Sequence, residues 1–238
     1  MSIWGKLAGA AAELAKGGPI GALLGGGPAE NQMAFTVGVI ALGAKMAKAD
    51  GVVTMDEVNA FKEVFKVPEG EMKNVANIFN LAKKDVTGYE AYAEQLAAML
   101  KGNRKLLEDV LEGLFHIAKA DQVLHPREVE FLAQVAKRFG ISKTEFSYIK
   151  ARHVIVTKRN PYDVLGVDAS IGNDDLKSRY RRLKHPDKLI ARGVPKEFVA
   201  IATEKLAAIN GAYAQITNDR ASVAGQFHAA WQRHTGAD

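Results

Sequence analysis

A His-Pro-Asp tripeptide, His185-Pro186-Asp187, lies near the C-terminal end of the chain beside a dense run of cations. No acidic residue interrupts the stretch from Lys177 to Lys184. Like charges three or four residues apart repel one another on a helix, so helix stability alone does not select this run. Either a solvated face or a surface that meets an acidic partner explains it. The cations are Lys177, Arg179, Arg181, Arg182, Lys184 and Lys188.

Three helices are predicted to position these residues. A short one covers about residues 162–165 and ends at Gly166. The second begins after Asn173, a good N-cap, and stops at the tripeptide, because proline disfavours the helical conformation in the residue before it. The third runs from near Pro195 to about Ile216. The last two should pack antiparallel, with the tripeptide in the loop at their tip.

This segment resembles a J-domain over residues 161–220, and a tail of residues 221–238 follows. The resemblance implies a co-chaperone that binds a DnaK-type chaperone and stimulates its ATPase. The tripeptide would supply the key contact, and the six cations would steer and hold an acidic face of the partner. The matching residues are Tyr162, Leu165, Gly166, Tyr180, Leu183, His185, Pro186, Asp187, Lys188, Ile209, Asn210, Ala212 and Tyr213.

The second helix departs from the J-domain pattern. Only Lys184 separates Leu183 from His185, whereas the family usually has about one more helical turn there. The shortfall is about three residues, or ~4.5 Å of helix and a rotation of ~60°. We therefore expect a folded domain with altered affinity for its partner.

The preceding region, residues 29–152, shows helical periodicity throughout and predicts a bundle of about seven helices. The bundle contains an internal repeat, because the segment 47–61 aligns without gaps to the segment 118–132. Each copy reads as a helix, an acidic turn and a second helix. Residues 153–160 are predicted to be a linker. The expected fold class is therefore all-α.

This bundle is similar to the tellurite-resistance-B domain. Together with the C-terminal J-domain pattern, it resembles the DjlA-like group of bacterial J-proteins. The resemblance leaves three roles open for the bundle: client binding, regulation of the J-domain or self-association.

The acidic turns of the repeat suggest a second hypothesis, a metal- or stress-responsive binding protein that acts through the bundle. Asp50 with Glu57, and Asp121 with Glu128, could offer oxygen ligands to a divalent cation. Helix capping accounts for the glutamates without a metal: Thr54 and Glu57 form a capping box, and His125 precedes Glu128 at the same spacing. No metal, cofactor or catalytic residue is predicted, and the chain is not expected to be an enzyme.

Composition narrows the classes of protein and the kinds of partner that remain possible. The chain has 238 residues, no cysteine and a formal charge of +5. The lack of cysteine excludes disulfides and fits a reducing cytoplasm. Residues 1–28 are glycine-rich, and their apolar residues suit either packing on the protein or weak contact with a membrane surface. No transmembrane segment is predicted, and the mild charge without interleaved aromatic residues gives no expectation of nucleic-acid binding.

Overall fold

The structure, a computed structural model, describes residues 28–49, 54–65, 69–84, 88–120, 124–153, 160–184 and 198–235. These residues form helices and turns, with no strand among them. The predicted all-α class is therefore confirmed. The ten α-helices of the described ranges are α1 Pro28–Ala49, α2 Met55–Phe65, α3 Met72–Ala82, α4 Tyr89–Met99, α5 Arg104–Ala118, α6 Pro126–Arg138, α7 Lys143–His153, α8 Pro161–Leu165, α9 Asn173–Lys184 and α10 Phe198–Thr235. A short 3-10 helix, Glu69–Glu71, precedes α3.

Helix α1 is the centre of a bundle formed by α1 to α7. Every residue from Ala34 to Ala47 is buried, and the helix packs against α3, α4, α5 and α6. Apart from Thr36 and Lys45 this stretch is apolar, so the helix must be covered on all sides, and small residues such as Gly43 let its neighbours approach closely. A β-carbon at Gly43 would lie 3.6 Å from both Phe61 and Ile117.

The two copies of the repeat end in helices that are capped as predicted. The Thr54 amide donates to Glu57 Oε2 at 2.7 Å, and the Glu57 amide donates back to Thr54 Oγ1 at 3.2 Å. In the second copy, the His125 amide donates to Glu128 Oε2 at 3.0 Å. Helix α7 begins with a third capping box, formed by Ser142 and Glu145, which was not predicted from the sequence.

The last helix is longer than predicted. We expected it to end near Ile216, but α10 continues to Thr235. No proline interrupts residues 217–235, and Arg220 ties this continuation to α9: its Nη1 donates to Asn173 Oδ1 at 2.6 Å. Asn173, expected to cap α9, therefore uses its side-chain oxygen to receive a bond from α10.

Candidate partner-binding site

Helices α8, α9 and α10 enclose a small apolar core of their own, separate from that of the bundle. Its buried members are Val164, Leu165, Leu176, Ile209, Ala212 and Ile216. Each of the three helices contributes at least one of these side chains. The core fixes α9 against α10 and so determines which face of α9 meets solvent.

Two tyrosines set the register between α9 and α10. The rings of Tyr180 and Tyr213 stack with centroids 4.0 Å apart and an interplanar angle of 11°. The Tyr180 hydroxyl donates to Asn210 Oδ1 at 2.8 Å, and Lys184 Nζ lies 5.6 Å from the centroid of the Tyr180 ring. A stacked aromatic pair with a hydrogen-bonded hydroxyl restricts both sliding and rotation of α9.

Four cations of α9 are exposed to solvent. Lys177, Arg181 and Lys184 follow one another at spacings of four and three residues, which places them on one helical face. Arg182 is also exposed and lies about 100° further around the helix from Arg181. We call these four residues the basic face. Acidic Asp174 and Asp175 stay in the first turn of the helix, where they complement its dipole.

Arg179 is placed differently from the other cations of α9. It is half-buried, and its Nε donates to the Leu165 carbonyl at 2.9 Å. Burial lowers the pKa of its guanidinium, and the charges of Arg152 and Arg182 add to the effect. A β-carbon at Gly166 would lie 2.9 Å from Arg179 Nη2 and 2.8 Å from Tyr148. Arg179 thus packs over the left-handed turn at Gly166 (φ 64°) instead of joining the basic face.

Several residues singled out in the sequence lie outside the described part of the chain. They are His185, Pro186, Asp187 and Lys188 of the tripeptide segment, and Asp50 and Asp121 of the acidic turns. Glu57 and Glu128, which the metal hypothesis also used, are buried and serve as helix caps. Within the described ranges, no group of three or more potential metal ligands comes together.

A buried cluster of charges joins the bundle to α8, α9 and α10, which we call the C-terminal hairpin. Asp109 and Glu112 lie one turn apart on α5, and both are buried. Arg152 Nη1 lies 2.5 Å from Glu112 Oε1, His153 Nε2 lies 2.5 Å from Glu112 Oε2, and Lys205 Nζ on α10 lies 2.8 Å from Asp109 Oδ1. We call these five residues the interdomain cluster.

Arg152 makes the link between bundle and hairpin more direct. Besides its ion pair with Glu112, its Nε donates to the Val164 carbonyl of α8 at 3.1 Å. Lys205 reaches back from α10 toward the same carboxylates, with its Nζ 3.9 Å from Glu112 Oε1. The C-terminal hairpin is therefore tied to the bundle twice: Arg152 of α7 bonds to α8, and Lys205 of α10 pairs with Asp109 of α5.

The interdomain cluster balances its own charges. Burial by itself would raise the pKa of Glu112, but Arg152, the hydrogen bond from His153 and the charge of Lys205 outweigh it and hold this pKa well below its ordinary value. Burial would lower the pKa of Lys205, and the two carboxylates reverse this and raise it. A buried charge is tolerated only when it is paired, and here every carboxylate has a cationic partner.

His153 is the neutral member of the interdomain cluster. Burial lowers its pKa below the ordinary value, although Glu112 opposes this shift. Its ring stacks on Phe115 with centroids 4.9 Å apart, and its Nδ1 is buried without a hydrogen-bond partner. A second proton on Nδ1 would have no acceptor, so the neutral form with its hydrogen on Nε2 fits this site.

The interdomain cluster was not predicted from the sequence. One signal was present: Asp109 and Glu112 interrupt a helix whose remaining positions from Leu106 to Ala118 are largely apolar, so carboxylates there had to be buried and paired. Their partner Lys205, however, is 96 residues away from Asp109. No local pattern could identify it.

Comparison with known proteins agrees with this architecture. The family described as "Tellurite resistance protein TerB" matches residues 36–151. The chain is 27% identical over 223 residues to the co-chaperone protein DjlA of Photobacterium profundum, covering 80% of this chain and 79% of that one. It is 26% identical to the co-chaperone protein DjlA of Salmonella paratyphi A, covering 92% of this chain and 99% of that one. The co-chaperone protein DjlA of Coxiella burnetii is 28% identical, over 75% of this chain and 74% of its own length. No solved structure matches the chain.

These similarities and the fold define a class of protein: a TerB-like helical bundle with a C-terminal helical hairpin, of the DnaJ co-chaperone type. Within that class, the chain is similar over most of its length to the DjlA co-chaperones.

The prediction of a cytoplasmic location was wrong. It rested on the absence of cysteine and of an apolar span. The similarity to DjlA co-chaperones carries no cytoplasmic assignment. None of the helices in the described ranges is long and apolar enough to cross a membrane. That observation assigns no compartment.

Proposed function

We propose that this chain acts as a J-domain co-chaperone, which binds a DnaK-type chaperone and stimulates its ATPase through the His185-Pro186-Asp187 loop and the basic face of α9. The observation that carries the proposal is the exposed stripe of Lys177, Arg181 and Lys184, which ends directly before the tripeptide in sequence. The similarity to DjlA co-chaperones supports it independently.

In this proposal the basic face acts first. Four exposed cations with no acidic residue between them attract an acidic surface, which raises the rate of encounter and orients the two proteins. Lys188 would extend the same field past the tripeptide. The stacked pair of Tyr180 and Tyr213 serves this step by keeping α9 in one orientation.

The tripeptide acts second. Asp187 would supply a polar contact to the partner, Pro186 would stiffen the loop, and His185 would orient it. The chain contributes no catalytic group in this scheme, because ATP is bound and hydrolysed by the partner. It is therefore a regulator of an ATPase and is not itself an enzyme, in keeping with its co-chaperone relatives.

Arg179 has a different part in the proposal. Its contact with the partner stays a prediction, and its bond to the Leu165 carbonyl supports a positioning role at the turn between α8 and α9. Removing it should change the orientation of the basic face more than its charge.

Charge reversal on the basic face tests this proposal. Arg181→Glu should weaken binding to ATP-loaded bacterial DnaK by roughly tenfold at low salt, because it replaces an attraction by a repulsion at the centre of the stripe. The matched control is Lys101→Glu, the same change at an exposed position of the bundle. Binding can be followed by surface plasmon resonance at two salt concentrations. Equal affinities of the two variants would contradict a role for the basic face.

A further inference from the structure

An apolar groove opens on the bundle between α2 and α3, and none of its described lining residues belongs to the basic face or to the interdomain cluster. Its volume is about 430 Å³, within the range of sites that bury a ligand. The T-shaped ring pair of Phe61 and Phe79, with centroids 5.4 Å apart, forms part of its lining. Val58, Val75 and Ala76 add further apolar surface.

The polar residues of this groove are almost all cationic. Lys62, Lys73 and Lys83 line it, together with Asn80, and none of its described lining residues is acidic. Lys83 Nζ lies 5.9 Å from the centroid of the Phe79 ring, so one cation sits above the aromatic lining. An apolar surface whose described charged lining residues are all cationic is complementary to an apolar segment that carries negative charges.

The spacing of the lysines favours an elongated segment. Lys73 lies in the first turn of α3, and Lys83 follows its last residue, so the backbone positions of these two lysines are about 15 Å apart along the helix axis. An amphiphile with one headgroup would reach only one of them. A helix of about three turns, with an apolar stripe and acidic residues at both ends, would reach both.

We propose that the groove between α2 and α3 binds an amphipathic helical segment of a partner protein, with apolar residues against Phe61 and Phe79 and acidic residues at its two ends. The bundle would then hold a protein ligand through a surface separate from the one proposed for the DnaK-type chaperone. Such a division would let one chain hold two proteins at once. The inference does not depend on stimulation of the ATPase.

Two synthetic peptides of about 14 residues provide the probe. Both carry the same leucine stripe at helical spacing; one has glutamates at both ends and the other has lysines. Fluorescence anisotropy with the full chain should show saturable binding of the acidic peptide, at least about tenfold tighter than binding of the basic one at low salt. Absence of saturable binding by the acidic peptide would overturn the proposal, whatever else fills the groove.

Substitutions on α3 locate the binding. Ala76 is exposed and lines the groove, whereas its neighbour Asn77 is exposed and does not. Ala76→Glu should therefore weaken binding of the acidic peptide by roughly tenfold or more, and Asn77→Glu should leave it within about twofold. Reversing both Lys73 and Lys83 to glutamate should reverse the preference between the peptides. Equal binding by the Ala76 and Asn77 variants would overturn the assignment.

Two further measurements distinguish a helical partner segment from a second copy of this chain and from the DnaK-type chaperone. If the wild-type chain is a dimer that Ala76→Glu converts to a monomer by light scattering, the groove is an interface between copies and the proposal fails. Stimulation of DnaK should be the same for Ala76→Glu and wild type. A failure of the peptide experiment would thus leave the proposed co-chaperone function untouched, and the reverse also holds.

Discussion

At the residue scale, the basic face and the interdomain cluster place their charged side chains in opposite environments. The cations of the basic face are solvated, so each contributes little to stability and mainly shapes the field around the helix. The groups of the interdomain cluster are removed from water, so each depends on its partner. We therefore expect substitutions in the basic face to change partner binding, and substitutions in the interdomain cluster to change stability.

The protonation of His153 should be visible as a dependence of stability on pH. Because burial lowers its pKa in the folded chain, the unfolded chain takes up a proton more readily, and folding is favoured less as pH falls. The loss should begin near pH 6.5, the unfolded value, and continue down to the folded pKa, with a slope of up to about 1.4 kcal/mol per pH unit.

Urea denaturation of wild type and His153→Gln between about pH 7.5 and 5 tests this prediction. Glutamine can still donate to Glu112 but does not titrate. The difference in unfolding free energy between the two proteins should therefore change with pH below about 6.5. A difference that stays constant over the whole range would show that His153 is not the titrating group.

At the element scale, the local signals of the sequence predict most of the helices. Periodicity, glycine punctuation and the Thr-x-x-Glu pattern locate the bundle helices and their caps, because these signals act over a few residues. The end of α10 was misjudged because the bond from Arg220 to Asn173 joins positions 47 residues apart. The interdomain cluster was missed for the same reason, since Lys205 and Asp109 are 96 residues apart in the sequence.

The shortness of α9 leads to a prediction at this scale. Helix α9 extends to Lys184, directly before His185. Insertion of three helix-forming residues after Leu183 would restore the usual spacing of the J-domain pattern, moving the tripeptide by ~4.5 Å and turning it by ~60° relative to the basic face. We expect the affinity for DnaK to change as a result.

Titration of DnaK stimulation with wild type and the insertion variant measures this effect. The half-saturating concentration should shift by at least about threefold, because the insertion changes the position of the tripeptide relative to the basic face. An insertion of the same residues after Gly102, in the exposed turn between α4 and α5, serves as the control. An unchanged titration would mean that the spacing is without consequence.

At the scale of the whole molecule, the interdomain cluster makes the bundle and the hairpin one structural unit. Arg152 bonds both to Glu112 of α5 and to the Val164 carbonyl of α8. Lys205 connects α10 to the same part of α5. Unfolding of the bundle should therefore release the hairpin as well.

Glu112→Gln tests this coupling. The substitution leaves the buried Arg152 without its carboxylate, which should lower the unfolding free energy by roughly 3–5 kcal/mol. Glu130→Gln, at an exposed position of α6, should change it by less than about 0.5 kcal/mol. Urea denaturation followed by circular dichroism measures both. A loss below about 1 kcal/mol for Glu112→Gln would contradict a stabilising role for the interdomain cluster.

The most direct test of the central claim is single-turnover ATP hydrolysis by a bacterial DnaK, with and without this protein and its His185→Gln variant. The wild-type chain should accelerate hydrolysis by roughly tenfold, equivalent to ~1.4 kcal/mol of activation free energy, and the variant should return the rate to the basal value. Circular dichroism must show that both chains are folded and helical. No acceleration by the folded wild-type chain, or equal acceleration by the variant, would contradict the proposed co-chaperone function.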